Sequence, residues 1–156
     1  MSQTDVVLEA DQASVAEALS QLLADSYTLY LKTHNYHWNV TGPHFGALHT
    51  LFEAQYTDLA QAVDSVAERI RALGHRAPGS YAEFSARTEI AEATIEPTKA
   101  MEMVAKLASD HQALARAAAR VVSVASAAAD QPTAGLATTR QEVHEKAAWM
   151  LRSFLE

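Results

Sequence analysis

Residues 37–68 read HWNVTGPHFGALHTLFEAQYTDLAQAVDSVAE, and this stretch decides the fold. Between Phe45 and Leu73 there is no proline and only one glycine, Gly46, near the start. Leu48, Phe52, Leu59, Val63, Val66 and Ile70 recur at steps of three, four or seven. That period predicts one long amphipathic helix with its apolar side turned to a core.

A second, polar stripe runs beside the apolar one. At about 100° per residue, with His49 at zero, Glu53 falls near ~40°, Asp64 near ~60° and Glu68 near ~100°. One metal ion cannot engage all four, because His49 and Asp64 are separated by roughly 22 Å along the axis at about 1.5 Å per residue. The spacing is symmetric, however: positions 49 and 68 share their midpoint with 53 and 64. An antiparallel copy of the helix about a twofold axis at that point would bring His49 and Glu53 to the partner's Glu68 and Asp64. Isologous twofold pairing is the commonest arrangement of soluble subunits. The stripe thus suggests a metal site shared by two subunits and formed twice per pair. A solvated face of ordinary helical polar residues fits the same spacing. His37, just before the turn and next to Trp38, adds to the first reading.

The rest of the chain bounds the chemistry. With 156 residues and 49% hydrophobic content it makes one globular domain. Gly and Pro are scarce, five and four, and alanine is plentiful, which favours helices. No cysteine occurs, so disulfides, thiolate metal sites and thiol catalysis are excluded. A metal would be held by imidazole and carboxylate, a set suited to iron, manganese or zinc. The first residues, MSQTDVVLEADQ, show no basic-then-apolar secretory signal. No run of about 18 uncharged apolar residues suggests a membrane span. The formal charge of −7 argues against general nucleic-acid affinity and for attraction of cations.

Four long helices are expected. Residues 1–12 are polar and acidic and are expected to form a flexible tail, with the first helix running from about Ala13 to Val40. Thr41-Gly42-Pro43 ends it. The second runs from about His44 to Leu73 and stops at Gly74 and Pro78-Gly79-Ser80. Tyr81 and Phe84 mark a short helical turn in the long connection that follows. The third helix begins near Pro97–Thr98; Asp130-Gln131-Pro132 separates it from the fourth. The fold class is therefore all-α, a single ferritin-like four-helix bundle over 1–156 with a short helix between the second and third long ones. Di-iron sites inside such bundles use Glu-x-x-His on two helices, and no Glu-x-x-His occurs here. That independently favours a site between subunits.

Over H-W-N-V-T-G-x5-L-H-x3-E (37–53) and D-S-V-A-E-R-I-R-A-L-G-x3-P (64–78), the chain closely resembles the Dps family, bacterial mini-ferritins named for DNA protection during starvation. The resemblance extends over nearly the whole chain. It implies a dodecamer, a hollow shell of four-helix subunits in the cytoplasm. Such shells bind Fe(II) at twofold interfaces, oxidise it with hydrogen peroxide in preference to oxygen, and store Fe(III) mineral. By position, it implies that His37 and His49 of one subunit act with Asp64 and Glu68 of another. Glu53 stands at a ligand position that is often Asp in the family. Trp38 resembles the family's aromatic beside the site, a quencher of stray oxidising equivalents; packing at an interface is the alternative. His34, one turn before His37, is a candidate for an outer role or a weak ligand. His44, His75, His111 and His144 read as structural or exposed. Asp130 falls near the family's acidic iron pores, although no further acid follows directly; Glu142 and Glu145 are the alternatives.

Two rival functions remain at this level. One is a nucleoid-associated DNA binder whose iron site is secondary. Against it, the first lysine or arginine is Lys32, already inside a helix, so weak or absent DNA binding is expected. The other is a helical interaction protein in which the polar stripe merely solvates a dimer.

Overall fold

The computed structural model describes residues 2–156, with side chains for Ser2, Glu9 and everything from Asp11 onward. Five helices follow one another: α1 (Gln3–Asn39), α2 (Phe45–Ala72), α3 (Tyr81–Arg87), α4 (Ala100–Ala127) and α5 (Gln131–Arg152), then a 3₁₀ turn, Ser153–Leu155. Helices α1 and α2 form one hairpin and α4 and α5 the other; α1 against α4 and α2 against α5 close the bundle. No helix among the described residues is long and apolar enough to cross a membrane.

One expectation is corrected. Helix α1 reaches back to Gln3, so most of the stretch expected to be a flexible tail is helical; Met1 lies outside the described residues. The reason is the absence of a stop. No Gly or Pro occurs before Gly42, and Glu9 and Ala10 are good helix formers that continue the ladder. Helix α4 also begins slightly later than expected, at Ala100, with Pro97 outside it.

Both expected glycine stops are present. Gly42 has φ +104° and Gly74 φ +88°, conformations open to glycine at little cost. At the second, His75 N–H donates to Ile70 O and Gly74 N–H to Arg71 O, satisfying the last carbonyls of α2. Helix α3 starts with a capping box. Ser80 Oγ accepts from Glu83 N–H, and the Glu83 carboxylate accepts from Ser80 N–H. Backbone N–H donation from Gly79, then the Arg76 guanidinium, hold that carboxyl down at about 2.

The apolar stripes meet in two clusters. Val15, Leu19, Leu22, Val66, Ile70 and Val121 centre one; Leu29, Leu48, Phe52, Leu59, Leu107 and Leu151 centre the other. Between Ala137 in the first and Leu151 in the second, α5 carries buried Arg140 and His144. The connection between α3 and α4 is tied to α1. Asp25 accepts from Thr88 Oγ and Glu89 N–H, and Lys32 donates to Ala91 O at 2.8 Å.

Candidate metal centre

The turn after Asn39 folds the last turn of α1 onto the first turns of α2, and that brings His37 and His49 together. Their rings stack with centroids 3.8 Å apart and planes 15° from parallel. The polar contacts are reciprocal. His37 Nδ1 lies 2.7 Å from His49 O, and His49 Nδ1 lies 2.8 Å from His37 O. A carbonyl oxygen only accepts, so each Nδ1 carries the proton. With Nδ1 so engaged, the lone pair of the neutral imidazole lies on Nε2, the arrangement that binds a metal. The two backbone carbonyls thus set tautomer and orientation at once. His37 is buried and His49 half-buried.

The carboxylates are placed differently. Glu53 is one turn beyond His49 on α2, and Asp64 and Glu68 follow near the far end of the same helix. All three are exposed. Because α2 is continuous from Phe45 to Ala72, Asp64 stays roughly 22 Å of axial rise from His49, at about 1.5 Å per residue. Among the described residues, no three His, Asp or Glu side chains of the single chain gather where they could hold a metal ion. The structure therefore brings together His37 and His49, leaves Glu53 adjacent in sequence register, and keeps Asp64 and Glu68 apart from them.

An aromatic wall backs the imidazoles. Tyr56 stands edge-on to His37 at 5.1 Å between centroids and stacks on His34 at 4.2 Å. His34 in turn lies 3.8 Å from the Trp38 ring, and Phe45 stacks on His49 at 5.0 Å. Burial, then the neighbouring His37, hold His34 below the usual imidazole range. Trp38 thus touches the histidines through His34, with 58% of its surface open. Tyr56 was not among the residues singled out in the sequence. Its spacing after His49 and Glu53, steps of four and three on one helix face, carried the signal.

Asp130 has work within its own chain. It caps α5, accepting from Thr133 N–H at 3.1 Å, and pairs with Arg69 at 3.1 Å. His111 and His144 are not exposed; they form a buried pair.

Imidazole pair, carboxylate stripe and bundle are those of a recognisable class. A family model for the ferritin-like domain matches residues 16–156. A DNA protection during starvation protein of Brevibacillus brevis is 37% identical over 145 residues, covering 93% of this chain and 97% of that protein. An uncharacterised low temperature-induced protein of Nostoc is 41% identical over 149 residues, 95% of this chain and 83% of that one. The crystal structure of a Dps protein from Bacillus brevis superposes with a TM-score of 0.91 at 36% identity, covering 94% of this chain and 98% of that one. A Vibrio cholerae Dps protein, described as a member of a broad superfamily of ferritin-like diiron-carboxylate proteins, superposes at 0.90 with 30% identity, covering 95% and 92%. The chain belongs to the Dps family of ferritin-like proteins.

Proposed function

We propose that the protein oxidises Fe(II) and stores the Fe(III) product, at sites made by two copies of the chain. The observation that carries this reading is the reciprocal His37–His49 pair, which leaves both Nε2 atoms over at one end of a helix whose Asp64 and Glu68 lie out of reach. Asp64 and Glu68 of a second, antiparallel copy complete the ligand set, with Glu53 beside the imidazoles. Neutral imidazoles hold incoming Fe(II), and carboxylates stabilise the higher charge of Fe(III).

Two Fe(II) ions held together each give one electron to one peroxide. With two protons taken up, peroxide becomes two waters, and no hydroxyl radical leaves the site. Oxygen is the slower oxidant in this reading. Exposed apolar side chains support self-association: Leu31 and Trp38 share one face of α1, Phe45 starts α2, and Tyr81 of α3 is 75% exposed. Twelve copies in a closed shell would enclose the mineral.

The DNA-binding alternative gains no support from charge. Lys32, the first cation in the sequence, is buried against Asp110 at 2.7 Å. A net −7 per chain repels phosphate, so gel shifts at physiological salt without divalent ions should show no stable complex.

The test is anaerobic addition of Fe(II) and peroxide, following ferric absorbance. His49→Ala combined with Asp64→Ala should abolish the fast phase while far-ultraviolet circular dichroism keeps its helical form. Unchanged initial rates in that variant would reject these ligands.

A further inference from the structure

A second polar assembly runs from the part-exposed Asp58 into the bundle, joins three helices and shares no residue with the proposed iron site. Asp58 of α2 accepts from Arg140 of α5 through both oxygens, at 3.2 and 2.9 Å. The same guanidinium nitrogen lies 3.3 Å from His144 Nε2. His144 Nδ1 lies 2.9 Å from Nδ1 of His111 on α4. Arginine donates and never accepts, so His144 Nε2 holds a lone pair. The one proton of that neutral ring is then on Nδ1 and is donated to His111 Nδ1. His111 consequently carries its own proton on Nε2, which is buried without a protein partner. The order of donors is thus Arg140 to His144 to His111.

A second proton fits on neither ring. On His144 Nε2 it would point at a guanidinium N–H; on His111 Nδ1 it would point at the His144 N–H. The two residues are 0% and 2% exposed, so a charge there also loses its hydration. We propose that the Asp58–Arg140–His144–His111 chain is an acid-sensitive clasp, closed while both imidazoles are neutral and opening the α2–α4–α5 seam when they take up protons.

The direction of the titration agrees. Burial first, then the charge of Arg140, bring His111 down to about 4, with only Asp58 acting the other way. Burial, then His111 and Arg140, hold His144 well below the ordinary range. Among the described residues, the charged groups acting on the rings are therefore Asp58 from α2 and Arg140 from α5. In the opened chain both imidazoles titrate near ~6.5. Between that value and about 4 the open form binds protons that the closed form does not, so stability is lost as pH falls through this window. Each imidazole raises the opening constant by up to about tenfold per pH unit there.

The experiment is hydrogen–deuterium exchange on the assembled wild-type protein at pH 7, 6 and 5, corrected for intrinsic rates. Protection of α4 around His111 and of α5 around His144 should fall by about tenfold or more between pH 6 and 5. In the volume-filling double variant His111→Leu/His144→Leu, which keeps the Asp58–Arg140 pair, that step should disappear. Nitrogen-15 NMR of histidine-labelled wild-type protein reads the tautomers directly and needs no variant. Protons on His144 Nδ1 and His111 Nε2, with both rings neutral at pH 5, support the clasp. Opposite tautomers, titration near 6.5, flat exchange from pH 7 to 5, or an unchanged step in the variant overturns it.

Discussion

The molecule holds two histidine pairs, and they differ in which nitrogens are already engaged. His37 and His49 give their Nδ1 protons to each other's backbone carbonyls, and their Nε2 atoms are left over. His111 and His144 bond ring to ring, and Arg140 occupies His144 Nε2. The first pair sits where two helices meet at a turn; the second lies within the bundle. Residue type and pairing are alike, so neither distinguishes a ligand from a strut. Second partners do: a backbone carbonyl frees the far nitrogen for a metal, whereas another ring or a guanidinium uses it for structure.

That contrast is broken most severely at the turn. His49→Ala should lower the initial rate of peroxide-driven Fe(II) oxidation by about 100-fold or more, the equivalent of roughly 3 kcal/mol of lost stabilisation. Stopped-flow absorbance measures it, and unfolding midpoints should move little by comparison. His111→Ala should do the reverse. It leaves a cavity and strands the His144 donor in the core, costing about 2–4 kcal/mol in urea or thermal unfolding. The oxidation rate per folded chain should stay as in the wild type. Acidification sharpens the same contrast. Because the folded-state values of the buried pair lie below those of the open chain, unfolding midpoints should fall between pH 6.5 and 4 by more in the wild type than in His111→Leu/His144→Leu. Glu53→Asp should have the smallest effect, changing the oxidation rate by less than about tenfold, since it keeps a carboxylate and alters only its reach.

Much of this was legible in the sequence, for identifiable reasons. The apolar period from Leu48 to Ile70 required a helix, and Gly42 and Gly74 had the chemistry of left-handed stops; both have positive φ. The symmetric positions of His49, Glu53, Asp64 and Glu68 followed from helix geometry alone. The start of α1 was not legible, because polar residues near a terminus are compatible with helix and coil alike, and no breaker divides them. Nor was the reciprocal carbonyl bonding of His37 and His49, which depends on the path of a short turn between them. The pairing of His111 with His144 joins helices whose relative rotation no local pattern specifies. Asp58 gave no sign of its partner for the same reason.

The most direct measurement concerns whether two protomers share each proposed iron site. Two inactive proteins, one carrying His49→Ala and the other Asp64→Ala, are dissociated, mixed in equal amounts and reassembled. In a mixed twofold pair, one site inherits both lesions and the other inherits neither. Fast Fe(II) oxidation should then return to about a quarter of the wild-type level, since about half of the pairs are mixed and each has one intact site. No recovery after verified subunit exchange would mean that the imidazoles and the acids act within one chain, and the account would be wrong.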